Sequence, residues 1–242
     1  MSKEEIAVNE KIISVSRIER KYLVSGIESE YVYNLLTQVL KEDANNNGKD
    51  GYMVRSLYFD SFDDTDFYDK QGGYNERKKI RLRIYSPESD YAKLEKKQKI
   101  GENQWKRSLT ISREHAELLI KGEFSCLMQY SGDFAKEIFT IMNNNLYRPK
   151  CIVEYRRRAF IVPENDIRIT IDSKIEATEI STDLFSKHLN LYPVAHNDDI
   201  TLEVKYNRFL LTYIREILDS INKNQTSNSK YAMGRSISMN GI

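Results

Sequence analysis

Apolar and polar residues alternate over several short stretches of this chain, the period-two pattern of strands covered by a core on one face. In KKIRLRIY, Lys79, Arg81 and Arg83 share one face and Ile80, Leu82 and Ile84 the other. DIRITID sets Arg168, Thr170 and Asp172 against Ile167, Ile169 and Ile171, and TLEVKY sets Thr201, Glu203 and Lys205 against Leu202, Val204 and Tyr206. The same spacing groups Arg17, Glu19 and Lys21, groups Lys93, Glu95, Lys97 and Lys99, and aligns Tyr155 and Arg157 with Val153 and Ala159. Strands are therefore expected over 14–24, 51–60, 76–86, 90–100, 103–111, 150–162, 166–175 and 199–206. Short connections between the third, fourth and fifth of these mark an antiparallel meander. Helical spacing appears over 28–43, 113–121, 132–145 and 207–222, and 176–198 fits neither pattern. The prediction is an α+β domain around a large antiparallel sheet, spanning about 14–235, with flexible ends at 1–13 and 236–242.

One such strand is ordinary: an apolar face on the core and a charged face in water. Solvent faces normally mix signs, because like charges side by side on a sheet repel. Here Arg81 lies with Arg83 and Lys97 with Lys99, and Arg157, Arg168 and Lys205 are available to join them. A sheet closed with its polar face inward would gather these cations around one cavity, leaving the apolar face to be covered by helices outside. Phosphate in a chain suits such a cavity. Arg matches phosphate oxygens with paired N–H donors, and Lys supplies compact charge.

Composition narrows the classes further. The 242 residues carry 37 Lys and Arg against 36 Asp and Glu, a net charge of +1, which speaks against a nucleic-acid binder driven by excess charge. No apolar run is long enough to span a bilayer, and the charged start MSKEEIAVNEKII lacks a signal-peptide core. Cys126 and Cys151 lie far apart with no metal-type spacing and are expected to be inert thiols in a reducing cytoplasm. His115, His188 and His196 show no ligand spacing, Trp105 is expected to pack, and the acidic stretch Asp60–Asp66 is expected to be a solvated turn.

Eight segments in order carry a family resemblance: ERKY at 19–22, SLYFD at 56–60, KIRLR at 79–83, LEKKQK at 94–99, EYRRRAF at 154–160, IRITID at 167–172, LEVKY at 202–206 and SKY at 229–231. Together they resemble the polyphosphate polymerase (VTC) domain of the triphosphate tunnel metalloenzyme (CYTH-like) superfamily, over nearly the whole chain. The resemblance implies an eight-stranded antiparallel β tunnel with a basic interior, in which the γ-phosphate of ATP passes to a growing inorganic polyphosphate, with Mn2+ or Mg2+ as cofactor. Carried over position by position, it implies phosphate ligation by Lys21, Arg81, Arg83, Lys97, Arg157, Arg168 and Lys230. Lys99, Tyr155, Lys205 and Ser229 become further substrate-binding positions, and Glu203 a metal ligand, with Glu19 either a second acid near the metal or an ion-pair partner of a lysine. ATP, inorganic phosphate or pyrophosphate, and polyphosphate are the implied partners. Many tunnel hydrolases begin ExExK; Arg17 stands at the first of those positions, which favours the polymerase type. Neither an SPX-like regulatory domain nor a membrane segment is seen, as expected of a stand-alone bacterial form, and a membrane partner is left open. Two rivals use the same cations: a metal-dependent triphosphate or polyphosphate hydrolase, and a non-catalytic polyphosphate-binding module.

Overall fold

The computed structural model describes residues 11–14, 18–101, 103–196 and 198–239; Arg17 lies outside them. Among the described residues eleven strands are found: β1 (Lys11–Ser14), β2 (Ile18–Val24), β3 (Tyr52–Asp60), β4 (Glu76–Ile84), β5 (Tyr91–Ile100), β6 (Asn103–Ser112), β7 (Arg148–Val162), β8 (Ile167–Thr178), β9 (Tyr192–Pro193), β10 (Ile200–Tyr206) and β11 (Asn224–Gln225). Six α-helices accompany them: α1 (Gly26–Val39), α2 (Thr65–Gln71), α3 (Arg113–Ile120), α4 (Asp133–Asn144), α5 (Thr212–Asp219) and α6 (Lys230–Met239). Setting aside the short strands β1, β9 and β11 leaves the eight expected. Helix α6 went unforeseen, and the ambiguous 176–198 contributes only the end of β8 and the two residues of β9. None of the described helices is long and apolar enough to cross a membrane.

The chain divides into two compact units, with β3 and β7 giving one end to each. The first comprises 56–152 and 179–189 together with β1. Its meander runs β1, β6, β5, β4 with antiparallel neighbours. The turn at Gly101 has φ 59°, a left-handed value that glycine adopts without strain. It pairs Ile100 with Asn103 and so fixes the register of β5 on β6. Ile80, Leu82, Leu94, Leu109 and Ile111 are buried on one face, and α3 and α4 pack against β6. Ser112 caps α3, its Oγ accepting from the His115 N–H at 3.2 Å.

The second unit comprises 18–55, 153–178 and 190–239. Here β10 lies between β8 and β2, antiparallel to both, with β11 beyond β2. Ile167, Ile169, Ile171, Leu202, Val204 and Tyr206 form a core with Val32, Tyr33 and Leu36 of α1 and Ile214 and Leu218 of α5. The amphipathic helices thus cover the apolar faces of the strands, and burying those side chains supplies the main driving force of the unit. Ser25 caps α1 through the Glu28 N–H. Arg158 secures α1 from the strand side, bonding Glu30 and stacking 4.2 Å from the Tyr33 ring centroid.

The acidic stretch departs from expectation. Asp60 and Asp66 are fully buried rather than solvated. Asp60 accepts N–H bonds from Ser61, Asp66 and Phe67 at 2.7–2.9 Å and so holds the first turn of α2. Asp66 accepts from Tyr147 Oη at 2.9 Å and faces Lys78 at 3.1 Å. Burial pushes its carboxyl up to about 6 and Asp60 adds to the rise, against the pull of Lys78. His115 is likewise tied down, its Nδ1 lying 2.7 Å from Tyr130 Oη. Both cysteines are buried free thiols, and burial pushes Cys126 up to about 11.

A carboxyl whose pKa is raised on folding loses stability as pH rises from its unfolded value, 3.8, through about 6. The expected penalty at pH 7 is on the order of 3 kcal/mol. Asp66→Asn should therefore gain stability relative to wild type as pH rises from 4 to 7, measured as the difference in urea midpoints at each pH. A pH-independent difference would assign the rise elsewhere.

Candidate functional site

The faces opposite the two apolar cores carry most of the predicted site residues, in one cluster in the first unit and two in the second. In the first unit, register places Lys79, Lys97 and Lys106 side by side on β4, β5 and β6. Three ammonium groups in one row repel one another unless counter-charge is supplied. Glu95, one step along β5 and directly opposite Arg81, supplies part of it. Its carboxylate is 2% exposed and faces Arg81 at 2.8 Å, Arg83 at 3.7 Å and Lys106. Burial alone would raise its pKa, but Arg83, Arg81 and Lys106 outweigh burial and hold it well below the ordinary range. Arg81 also donates to Tyr58 Oη at 2.9 Å, and Arg83 to Ser56 Oγ at 3.3 Å. Lys99 continues the row direction between Arg77 and Gln104.

Lys106 was not singled out in the sequence, although the signal was present. The alternation Gln104, Lys106, Ser108, with the hairpin register set at Gly101, puts it opposite Lys97. Burial lowers its pKa to about 8, with Arg83 and Arg81 contributing, although Glu95 pulls the other way. Its side chain keeps 40% of its exposure, so solvent moderates that lowering.

In the second unit, β2, β10 and β8 form three rows. Lys21, Glu203 and Thr170 are aligned across the strands; Glu19, Lys205 and Arg168 form the row on one side, and Leu23, Thr201 and Asp172 the row on the other. Glu19 and Glu203 both address the same two lysines. Lys21 lies 3.0 Å from Glu19 and 3.6 Å from Glu203, and Lys205 lies 4.0 and 3.3 Å away. Burial opposes ionisation of Glu203, yet Lys205 and Lys21 hold its pKa well below the usual carboxylate value. Burial likewise opposes the charge on Lys21, but Glu203 and Glu19 raise its pKa overall.

A second cluster centres on Asp172, which is fully buried. Arg157 grips it with two donors, Nε at 2.6 Å and a terminal nitrogen at 2.8 Å, and Lys230 at the start of α6 reaches it at 2.7 Å. These cations overcome burial and bring Asp172 down to about 2. Tyr155 provides the floor, its ring centroid 5.2 Å from the Arg157 guanidinium and 4.6 Å from Lys230 Nζ. Ser229 caps α6, its Oγ accepting from the Ala232 N–H at 3.4 Å. Arg168 bonds Asp43 and Tyr52 at 3.0 and 3.1 Å. Asp43 sits in a loop with no pattern to announce it. Gly51, at φ 61°, allows β3 to approach Arg157 closely: a Cβ there would lie 2.2 Å from the Arg157 carbonyl oxygen.

The second unit thus unites Lys21, Glu19, Glu203 and Lys205 in one cluster and Arg157, Tyr155, Ser229 and Lys230 in another. Arg168 belongs to the row of Lys205 but is engaged with Asp43. Each cluster can take an anion by sharing its cations between the resident carboxylate and incoming oxygens.

A family model described as the VTC domain matches residues 16–239. Two solved structures share the fold. One, from Bacillus halodurans and named as an adenylate cyclase, is 16% identical, with a TM-score of 0.50 over 89% of this chain and 97% of its own. Another, from Hippeastrum, is named as an adenylyl cyclase with a dominant triphosphatase activity; it is 12% identical, with a TM-score of 0.52 over 91% of this chain and 94% of its own. A search of curated proteins gives no match.

An anion bound beside Lys106 favours its charged form, so affinity should fall as pH rises through about 8. Lys106→Arg keeps its charge and should flatten the decline in tripolyphosphate affinity between pH 7 and 9, followed by calorimetry. An identical slope in both proteins would remove Lys106 from the anion site.

Proposed function

The chain belongs to the VTC domain family and has the antiparallel, helix-covered fold of the triphosphate tunnel proteins, and on that footing we propose that it is an ATP-dependent polyphosphate polymerase. In this reading the terminal oxygen of a polyphosphate attacks the γ-phosphorus of ATP. The bond from that phosphorus to the β–γ bridging oxygen breaks, ADP leaves, and the chain lengthens by one phosphate. Phosphate oxygens would be neutralised by Arg81, Arg83, Lys97, Lys99 and Lys106 in the first unit, and by Lys21, Lys205, Arg157 and Arg168 on strands and Lys230 on α6 in the second. Phosphoryl transfer asks the protein chiefly for such positioning and charge.

What supports the polymerase reading is the match of the VTC domain model over residues 16–239, and the acids of the site are compatible with it. Glu95, Asp172 and Glu203 are each held well below the usual carboxylate range by the cations around them. Acids so weakly basic are poor acceptors for the proton of an attacking water. A phosphate terminus arrives already ionised and needs no base. Transfer to a phosphate terminus is therefore chemically compatible with a site whose acids are ion-paired.

A divalent ion fits the pair Glu19 and Glu203. Both present hard oxygen donors to a common pair of lysines, and Mg2+ or Mn2+ in nucleotide sites takes one or two carboxylates together with phosphate oxygens. Among the described residues no group of three or more acidic, His or Cys side chains is arranged to hold an ion without substrate. When bound, such an ion would offset charge on the phosphates. Lys21 and Lys205, relieved of their carboxylates, would then turn their charge to the substrate.

Incubation with ATP and Mn2+ should yield long chains on a polyphosphate-stained gel. Free phosphate without polymer would instead establish the hydrolase, and neither product the binding module. Glu203→Gln should hold tripolyphosphate within about threefold of wild-type affinity while turnover drops at least about a hundredfold, since it keeps the cations and loses a metal ligand. Unchanged turnover would sink the metal role.

A further inference from the structure

Resting on that reading, we propose that the hydroxyl of Thr170 is a substrate contact, a neutral donor to a phosphoryl oxygen between the two ionic clusters of the second unit. Thr170 is 2% exposed, and its Oγ1 finds no hydrogen-bond partner among the described residues. A buried hydroxyl left unsatisfied is destabilising, and native proteins rarely tolerate one without a reason.

Its position supplies the reason. Ile169 and Ile171, on either side, point into the apolar core, so the alternation of β8 turns Thr170 to the polar face with Arg168 and Asp172. Across the strands it is the register partner of Glu203, itself paired with Lys21. Its neighbours Glu203, Asp172 and Arg168 on β10 and β8 each hold ionic partners. Glu203 engages Lys21 and Lys205, Asp172 engages Arg157 and Lys230, and Arg168 engages Asp43 and Tyr52. The hydroxyl is an unused donor in a row whose cations are shared with an incoming anion. A purely structural requirement for bulk at this site would be met by valine, which has the same shape and also favours strands.

The test compares wild type with Thr170→Val, Thr170→Ser and Thr170→Ala, using tripolyphosphate as ligand and the melting temperature without ligand. Hydrogen bonds to charged groups are the stronger class. Thr170→Val should therefore bind tripolyphosphate about tenfold more weakly while melting at or above the wild-type temperature. Thr170→Ser should bind within about threefold of wild type, and Thr170→Ala should lose affinity as valine does. Equal affinity in wild type and Thr170→Val overturns this assignment alone. So does a lower melting point for Thr170→Val with affinity retained, the mark of a hydroxyl satisfied within the fold. A wild-type protein that does not bind tripolyphosphate overturns both this assignment and the function it rests on.

Discussion

Like charges gathered on one strand face must be held in place before any ligand arrives, and three buried carboxylates do that here. Glu95 faces Arg81, Arg83 and Lys106; Asp172 faces Arg157 and Lys230; Glu203 faces Lys21 and Lys205. An isolated ion buried this deeply would be expelled or neutralised, so acid and cation are each admissible only because of the other. The same pairing preorganises the cations. A lysine on a flexible stem loses considerable entropy when fixed on a phosphate, and one already held by a buried acid has lost much of it on folding.

Binding is then a competition for shared cations. The acids stay ionised well into the acidic range, so they cannot step aside by taking a proton near neutrality. An incoming polyanion must offer the lysines and arginines enough negative charge to outweigh a fixed internal partner. A single phosphate makes a weak competitor, whereas a chain presents several charged groups at once and gains from each without a new association cost. If the clusters take a polyanion as proposed, a preference for chain over monomer would owe as much to the resident acids as to the bases.

Much of this was legible in the sequence because strand alternation is a local property. KIRLR, IRITID and LEVKY declare which residues share a face, and the observed register aligns them as the pattern implies. The helices covering the apolar faces could be located to within a few residues at the α1 start and less closely at α5, where 207–222 shrinks to Thr212–Asp219. Contacts set by tertiary geometry were not visible. Asp43 meets Arg168 from a loop, and Asp60 turns inward because the amides of α2 need an acceptor. Glu95 and Asp172 were visible as members of a face, but their role depends on burial, which alternation does not report. Lys106 required the hairpin register as well as the pattern.

If the protein is the transferase proposed above, the placement of the acids also bears on how it spares its donor from water. Water needs a nearby base to become a competent nucleophile near neutrality, and Glu95, Asp172 and Glu203 have had their basicity removed by the cations that hold them. The groups that immobilise the phosphate ligands are thus the groups that withhold a proton acceptor from water. Glu19 shares Lys21 and Lys205 with Glu203, so its oxygens too are drawn toward cations. On the proposed reading, sparing the donor from water is thus a consequence of the same ion pairs that hold the cations in place.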